Sequence, residues 1–183
     1  VLKAAHSSGD NLIVFDKSLV IEKNVRATAK QWQAKNFYSA GREWVYRDIP
    51  TRIVCERLLI DDQGKLPMDY KVFCFNGEPH FIQVDVDRFE NHKRAIYDTE
   101  WRKQEFELLY EMATQRIERP KHLPEMIELA RKLAEDIPFV RIDFYALPEL
   151  VFGEMTFYPG NGFEPFRPIE WDAKLGELLK LPV

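Results

Sequence analysis

Two carboxylates near the C-terminal end of the 183-residue chain carry the clearest chemical signal. In Val140-Arg141-Ile142-Asp143-Phe144-Tyr145 apolar and polar residues alternate. A strand with that pattern turns Arg141, Asp143 and Tyr145 to one side. In Val151-Phe152-Gly153-Glu154-Met155-Thr156-Phe157 the same period sets Phe152, Glu154 and Thr156 on one face. The short turn Leu147-Pro148-Glu149 joins the two runs. Pairing them through it brings Asp143 close to Glu154, with Arg141 beside both. Close like charges repel, so such a pair needs a reason. A hard cation is one, since magnesium takes one or two protein carboxylates together with waters and phosphates. A solvated polar face with an Arg–Asp pair is another. Acid/base work by two carboxylates, as in glycoside hydrolysis, is a third. Spacing alone leaves all three open.

The elements that hold this pair follow from periodicity. Residues 1–5 and 12–15 read as strands around the polar turn His6–Asn11. Residues 25–35 read as a helix with Val25, Ala29 and Trp32 inward. Residues 52–60 form an apolar strand that ends at Asp61-Asp62-Gln63-Gly64, a turn signal. Tyr70–Phe75 and Pro79–Val86 flank Asn76-Gly77, a strong hairpin signal. Residues 87–104 are a polar stretch. Residues 124–136 form an amphipathic helix with Met126, Ile127, Ala130, Leu133 and Ala134 inward, stopped by Pro138. A short helix spans Trp171 to Leu179. Hairpins carrying two or three helices make an α+β fold with a largely antiparallel sheet. Residues 1–60 form one subdomain and 61–183 a second.

Composition narrows the function. With 13 Phe, 7 Tyr and 4 Trp the chain can bury a core. A net charge of −4 lacks the basic excess of a nucleic-acid binder. Cys55 and Cys74 sit singly in apolar runs and read as buried apolar residues, so neither a disulfide nor a zinc site is predicted, and a reducing cytoplasmic setting fits. No apolar run reaches the roughly 18 residues of a membrane span. The chain opens on Val1-Leu2-Lys3-Ala4-Ala5, without Met and as if in mid-strand. A preceding segment is therefore expected.

An ordered set of motifs resembles the ATP-grasp superfamily. Leu2-Lys3-Ala4-Ala5-His6-Ser7-Ser8-Gly9 is similar to its phosphate-holding strand and loop. Val54-Cys55-Glu56-Arg57-Leu58-Leu59 is similar to its adenine hinge. Arg141-Ile142-Asp143 and Glu154-Met155-Thr156-Phe157-Tyr158-Pro159-Gly160 resemble its metal-binding strands. Tyr70-Lys71-Val72-Phe73-Cys74-Phe75-Asn76-Gly77-Glu78-Pro79 and Phe152-Gly153-Glu154-Met155-Thr156-Phe157-Tyr158-Pro159-Gly160 resemble the TupA-like, teichuronopeptide branch.

That resemblance implies an ATP-grasp-like fold whose N-terminal domain is missing from this chain. It implies ATP and Mg2+ as cofactors. The implied substrates are a small molecule or glycan bearing a carboxylate, and an amine donor. Lys3, Ser7, Ser8 and Gly9 would face the ATP phosphates. Glu56, Arg57, Leu58 and Leu59 would hold adenine, and Asp69 the ribose hydroxyls. Lys71 would point to the phosphates or the product side. Asp143, Glu154 and Thr156 would ligate magnesium. Thr156 stands where the family usually has Asn, and Asn161 lies just beyond. Arg141 would stabilise charge on the reacting group.

Arg88, His92, Lys93 and Arg94 form a basic cluster suited to an acidic substrate, or equally a solvated loop. Phe163, Phe166 and Trp171 read as core residues. The expected activity is a carboxylate–amine ligase of capsular or envelope polysaccharide synthesis. A sugar kinase on the same fold, a metal-dependent glycosyltransferase and a non-catalytic carbohydrate-binding module compete with it.

Overall fold

In the computed structural model, residues 1–87 and 91–181 are described. The chain divides into two units, Val1–Gly64 and Lys65–Val183. The first holds a three-stranded antiparallel sheet of β1 (Leu2–Ala4), β2 (Asn11–Leu12) and β3 (Ile53–Cys55), with β1 in the middle. Helix α1 (Glu22–Gln33) buries Trp32, with Val25 and Ala29 partly covered, as its period predicts. A short helix, α2 (Phe37–Gly41), follows.

Two predicted strands of this unit are shorter in the structure. The strand read over 52–60 stops at Cys55. Among the described residues its partner is β1, and the pairing runs one step further, Glu56 N–H to the Val1 carbonyl and the Val1 amine to the Glu56 carbonyl, both at 2.8 Å, after which residues 57–60 join no described ladder. The strand read over 12–15 is likewise confined to Asn11–Leu12.

The second unit is built on a five-stranded antiparallel sheet. It comprises β4 (Asp69–Phe75), β5 (Glu78–Val86), β6 (Lys93–Asp98), β8 (Phe139–Ala146) and β9 (Leu150–Thr156), in the order β6-β5-β4-β8-β9. A separate two-stranded ribbon pairs β7 (Glu107–Leu108) with β10 (Phe166–Arg167). Strand β6 lies inside the stretch read as merely polar. Arg94, Ile96 and Asp98 alternate there with Ala95 and Tyr97, and the full length pairs with β5. The Asn76-Gly77 turn takes positive φ at both residues, 50° and 84°, which a tight hairpin between twisted strands requires.

One face of this sheet is apolar. Val72, Cys74, Ile82, Val84, Val140, Ile142 and Phe144 pack there against α3 (Leu123–Ala134). The buried residues of α3 are Leu123, Met126, Ala130 and Ala134. Leu133, expected inward, is exposed, because its angular position falls off that stripe. The other face carries polar residues at its centre and a second apolar cluster of Ile96, Phe106 and Leu108 at one end. Against that cluster pack Phe166, Trp171 and the helix α4 (Glu170–Gly176). Phe163, expected to close the core, is instead 85% exposed.

Candidate functional site

The polar face places six of the predicted residues together. Lys71 on β4 stands opposite Asp143 on β8, and Asp143 stands opposite Glu154 on β9. Arg141 stands opposite Thr156. Strand partners point to the same side, so these five side chains form one patch. Asp69 is two residues from Lys71 and joins it.

The contacts are dense. The Lys71 ammonium donates to both Asp69 and Asp143, 2.6 Å from Asp143 Oδ2. Arg141 grips the same carboxylate with two nitrogens, Nε to Oδ1 at 2.7 Å and Nη2 to Oδ2 at 2.8 Å. Its Nη2 also reaches Thr156 Oγ1 at 3.1 Å and Glu154 Oε1 at 3.4 Å. The Thr156 hydroxyl donates to Glu154 Oε1 at 3.0 Å. Lys71 is 7% exposed and Asp143 3%, whereas the Glu154 side chain is 64% exposed. Burial pulls the Arg141 pKa down, but the Asp143 carboxylate it grips, with Glu154 and Asp69, outweighs this and the net shift is upward.

A one-residue bulge aims Glu154. The pairing slips between Asp143 and Phe144, so Glu154 faces Asp143 while Phe152 faces Phe144. Gly153 is the extra residue. A Cβ there would lie 3.0 Å from the Asp143 carbonyl oxygen and 3.2 Å from Tyr145 Cε2. The bulge overturns simple alternation. Phe152 does not share a face with Glu154 but meets Phe144 edge-on, ring centres 6.4 Å apart.

These residues fit a hard divalent cation. Asp143, Glu154 and Thr156 offer only oxygen donors, two carboxylates and a hydroxyl. Asp143 has about four acceptor positions, and three are taken by Arg141 and Lys71. One remains on Oδ1. Glu154 is open to solvent on its Oε2 side, and Thr156 keeps a lone pair. Among the described residues no group of three or more His, Cys, Asp and Glu side chains converges, so the remaining ligands would be waters or phosphate oxygens.

The polar face extends to residues the sequence reading passed over. Gln83 stands opposite Lys71 on β5 and is fully buried. Its amide donates to Asp85 at 3.0 Å. Asp85 also receives Arg94 Nε at 2.7 Å. Burial would raise the Asp85 pKa, but Arg94, Gln83 and His92 more than offset this and hold it below the usual carboxylate range. The signal was available in Ile82-Gln83-Val84-Asp85-Val86, where polar residues interrupt an apolar strand at period two.

Arg94 is buried, donates to the Leu108 carbonyl at 2.9 Å and lies over the Tyr110 ring. His92 stacks on the same Tyr110 ring, centroids 3.7 Å apart, with Nε2 3.3 Å from Asp85 Oδ1. These two therefore belong to a network around Asp85 rather than to an open basic loop. Lys93 pairs with Glu111. Arg88, predicted beside them, lies outside the described residues.

In the first unit Lys3 Nζ pairs with Glu56 Oε2 at 2.6 Å, both half-exposed. The adjacent strands β1 and β3 set this pair. The loop after β1 is held by Ser7 Oγ donating to Asp10 at 2.8 Å, by Lys35 on Asp10, and by His6 Nε2 against the Trp32 carbonyl at 2.8 Å. Ser8 and Gly9 are exposed at its tip, where Gly9 takes φ 80°. Arg57 is exposed, while Leu58 and Leu59 are partly covered in the coil after β3.

A family model described as TupA-like ATPgrasp matches residues 1–180. The chain belongs to this TupA-like ATP-grasp family. Neither a search of curated proteins nor one of solved structures finds a match. The antiparallel sheets with packed helices accord with an ATP-grasp-like fold. ATP-grasp proteins generally use ATP and Mg2+, and the family points to an enzyme of ligase type. Among the described residues no helix is long and apolar enough to cross a membrane.

Proposed function

We propose that the protein is a MgATP-dependent carboxylate–amine ligase of bacterial envelope or capsular polysaccharide synthesis. The observation that carries this reading is Arg141, which joins buried Asp143 and exposed Glu154 on neighbouring strands. Bound ATP would supply a phosphoryl group to a substrate carboxylate, with ADP leaving, and an amine would then displace phosphate from the acyl group.

The chain's own residues would do the positioning. Asp143, Glu154 and Thr156 would hold magnesium. Arg141 would neutralise charge that develops at the reacting centre, and such preorganised charge is worth several kcal/mol. Lys71 would add a compact positive charge toward phosphate. Asp69, steadied by its Lys71 contact, would take the ribose hydroxyls. Lys3 with the Ser7-Ser8-Gly9 loop would receive phosphates, small residues letting backbone N–H groups come close. Glu56 would accept from the adenine amino group, with the Arg57 and Leu58 backbone and the Leu59 side chain completing the base site. His92, the less buried of the described basic residues near Asp85, would meet an acidic substrate. The TupA-like family supports the polysaccharide setting.

Titration calorimetry with ATP tests the reading directly. Binding should require Mg2+ and fall at least tenfold in Asp143→Asn and in Glu154→Gln. Turnover should release ADP and free phosphate only when both a carboxylate and an amine are present. Phosphate retained on the product would mark a kinase instead, and absence of magnesium-dependent nucleotide binding would overturn the reading.

A further inference from the structure

The polar face of the second unit does not end at its charged patch. Along β4 and β8 the next residues on that face are Phe73 and Phe139. They lie roughly 7 Å beyond Lys71 and Arg141, two residues along each strand. They form the floor of an open cavity of about 300 Å3. Phe106 and Leu108 wall one side, and Leu175 and Gly176 of α4 wall another. Asp172 is the one charged residue in the lining.

We propose that this cavity binds a hydrocarbon chain, the acyl or isoprenoid tail of the molecule whose polar end is processed at Asp143 and Arg141. The inference rests on the ligase reading for that last clause only. Concave, mostly apolar pockets of this size suit small molecules, whereas stable protein partners cover about 800 Å2 per side of flatter surface. A chain fits better than a ring, because apolar residues continue beyond the lining. Phe163, next to Gly162 of the lining, is exposed, and so are Ile169 before α4 and Leu181 after Leu179. A compact ring would leave these exposed apolar residues uncovered, while a longer tail could cover them.

The probe is a series of n-alkyl glucosides from hexyl to decyl, non-ionic and kept below their micelle-forming concentrations. Calorimetry on the whole chain should show affinity rising about fourfold per added methylene. Gly176→Leu should weaken decyl glucoside at least tenfold. Gly176 is helical and a Cβ there meets no atom within 4 Å, so the variant should melt no lower than the parent. Leu175→Trp narrows the same cavity and should act alike. Affinity that does not change with chain length overturns the proposal. So does phenyl glucoside binding as tightly as decyl, or both variants binding decyl glucoside like the parent. Self-association of the parent that Gly176→Leu abolishes would make the cavity an interface between copies and also overturn it. MgATP titrations on the same samples keep the two ideas apart: loss of nucleotide binding in the parent sinks the ligase reading and leaves the chain-length result standing.

Discussion

Lys71 and Asp143 face each other across β4 and β8, and the ammonium lies 2.6 Å from a carboxylate that Arg141 grips from the other side. A buried charge pair is costly to break from one side only, because the charge left behind has lost its partner and its water. The pair is therefore a structural as well as a chemical unit.

Lys71→Met should destabilise the second unit by about 3–5 kcal/mol, since Asp69 and Asp143 stay buried without its ammonium. Urea denaturation measures this. The double variant Lys71→Met/Asp143→Asn should lose much less than the sum of the two single changes, as contacting residues are not additive.

Gly153→Ala should cost about 1–3 kcal/mol, the range for forcing atoms into a packed site. The added methyl meets backbone at 3.0 Å, which has no freedom to rotate away. Nucleotide affinity should fall with it, because the bulge sets the direction of Glu154. Thermal melts and a MgATP titration check both halves. A variant that keeps full stability would show that the bulge is not tightly held.

Acid sensitivity should trace in part to Asp85. Its folded pKa is depressed by Arg94, Gln83 and His92 acting against burial. A depressed carboxylate stabilises the fold above its unfolded pKa, about 3.9, and loses that contribution as pH falls through the lower folded value. Asp85→Asn should therefore be less stable than the parent at pH 7. The gap should close as pH drops below about 4. Denaturant midpoints at a series of pH values read this out.

The two thiols should behave differently. Cys74 is fully buried, as expected, whereas Cys55, also read as buried, is exposed at the end of a three-residue strand that is mostly open to solvent. Burial, helped by the Glu78 charge, pushes the Cys74 thiol up to about 12. A disulfide reagent at pH 8 should titrate one thiol per native chain and two after unfolding.

Much of this was legible in the residues. Period two marked β8 and β9, and Asn76-Gly77 fixed the hairpin of β4 and β5. The closeness of Asp143 to Glu154 followed from pairing two strands through a short turn. The misses have physical causes. Residues 57–60 look like a strand, but the described pairing ends at Glu56 with Val1, and partners are set by chain far away in sequence. Strand β6 is rich in charge because its Arg94 is neutralised by Asp85 from the next strand, which composition does not reveal. Gly153 breaks the alternation silently, since an inserted residue leaves no mark in residue type beyond a glycine. The apolar cavity is assembled from residues on β4, β5, β6, β8, α4 and the segments around β7 and β10, and has no local signature.

The bulge at Gly153 also bears on solubility. Strand β9 is an edge of its sheet, paired on one side with β8 among the described residues. A regular edge strand is a template onto which another chain can add. Here the extra residue interrupts the free row of backbone donors and acceptors at its midpoint, and exposed Glu154 follows at once. A neighbouring strand that matched Leu150–Phe152 would fall out of step before Met155. The same insertion that turns Glu154 toward Asp143 thus makes this edge a poor seed for edge-to-edge aggregation. Removing residue 153 would yield a smoother strand and a stickier protein.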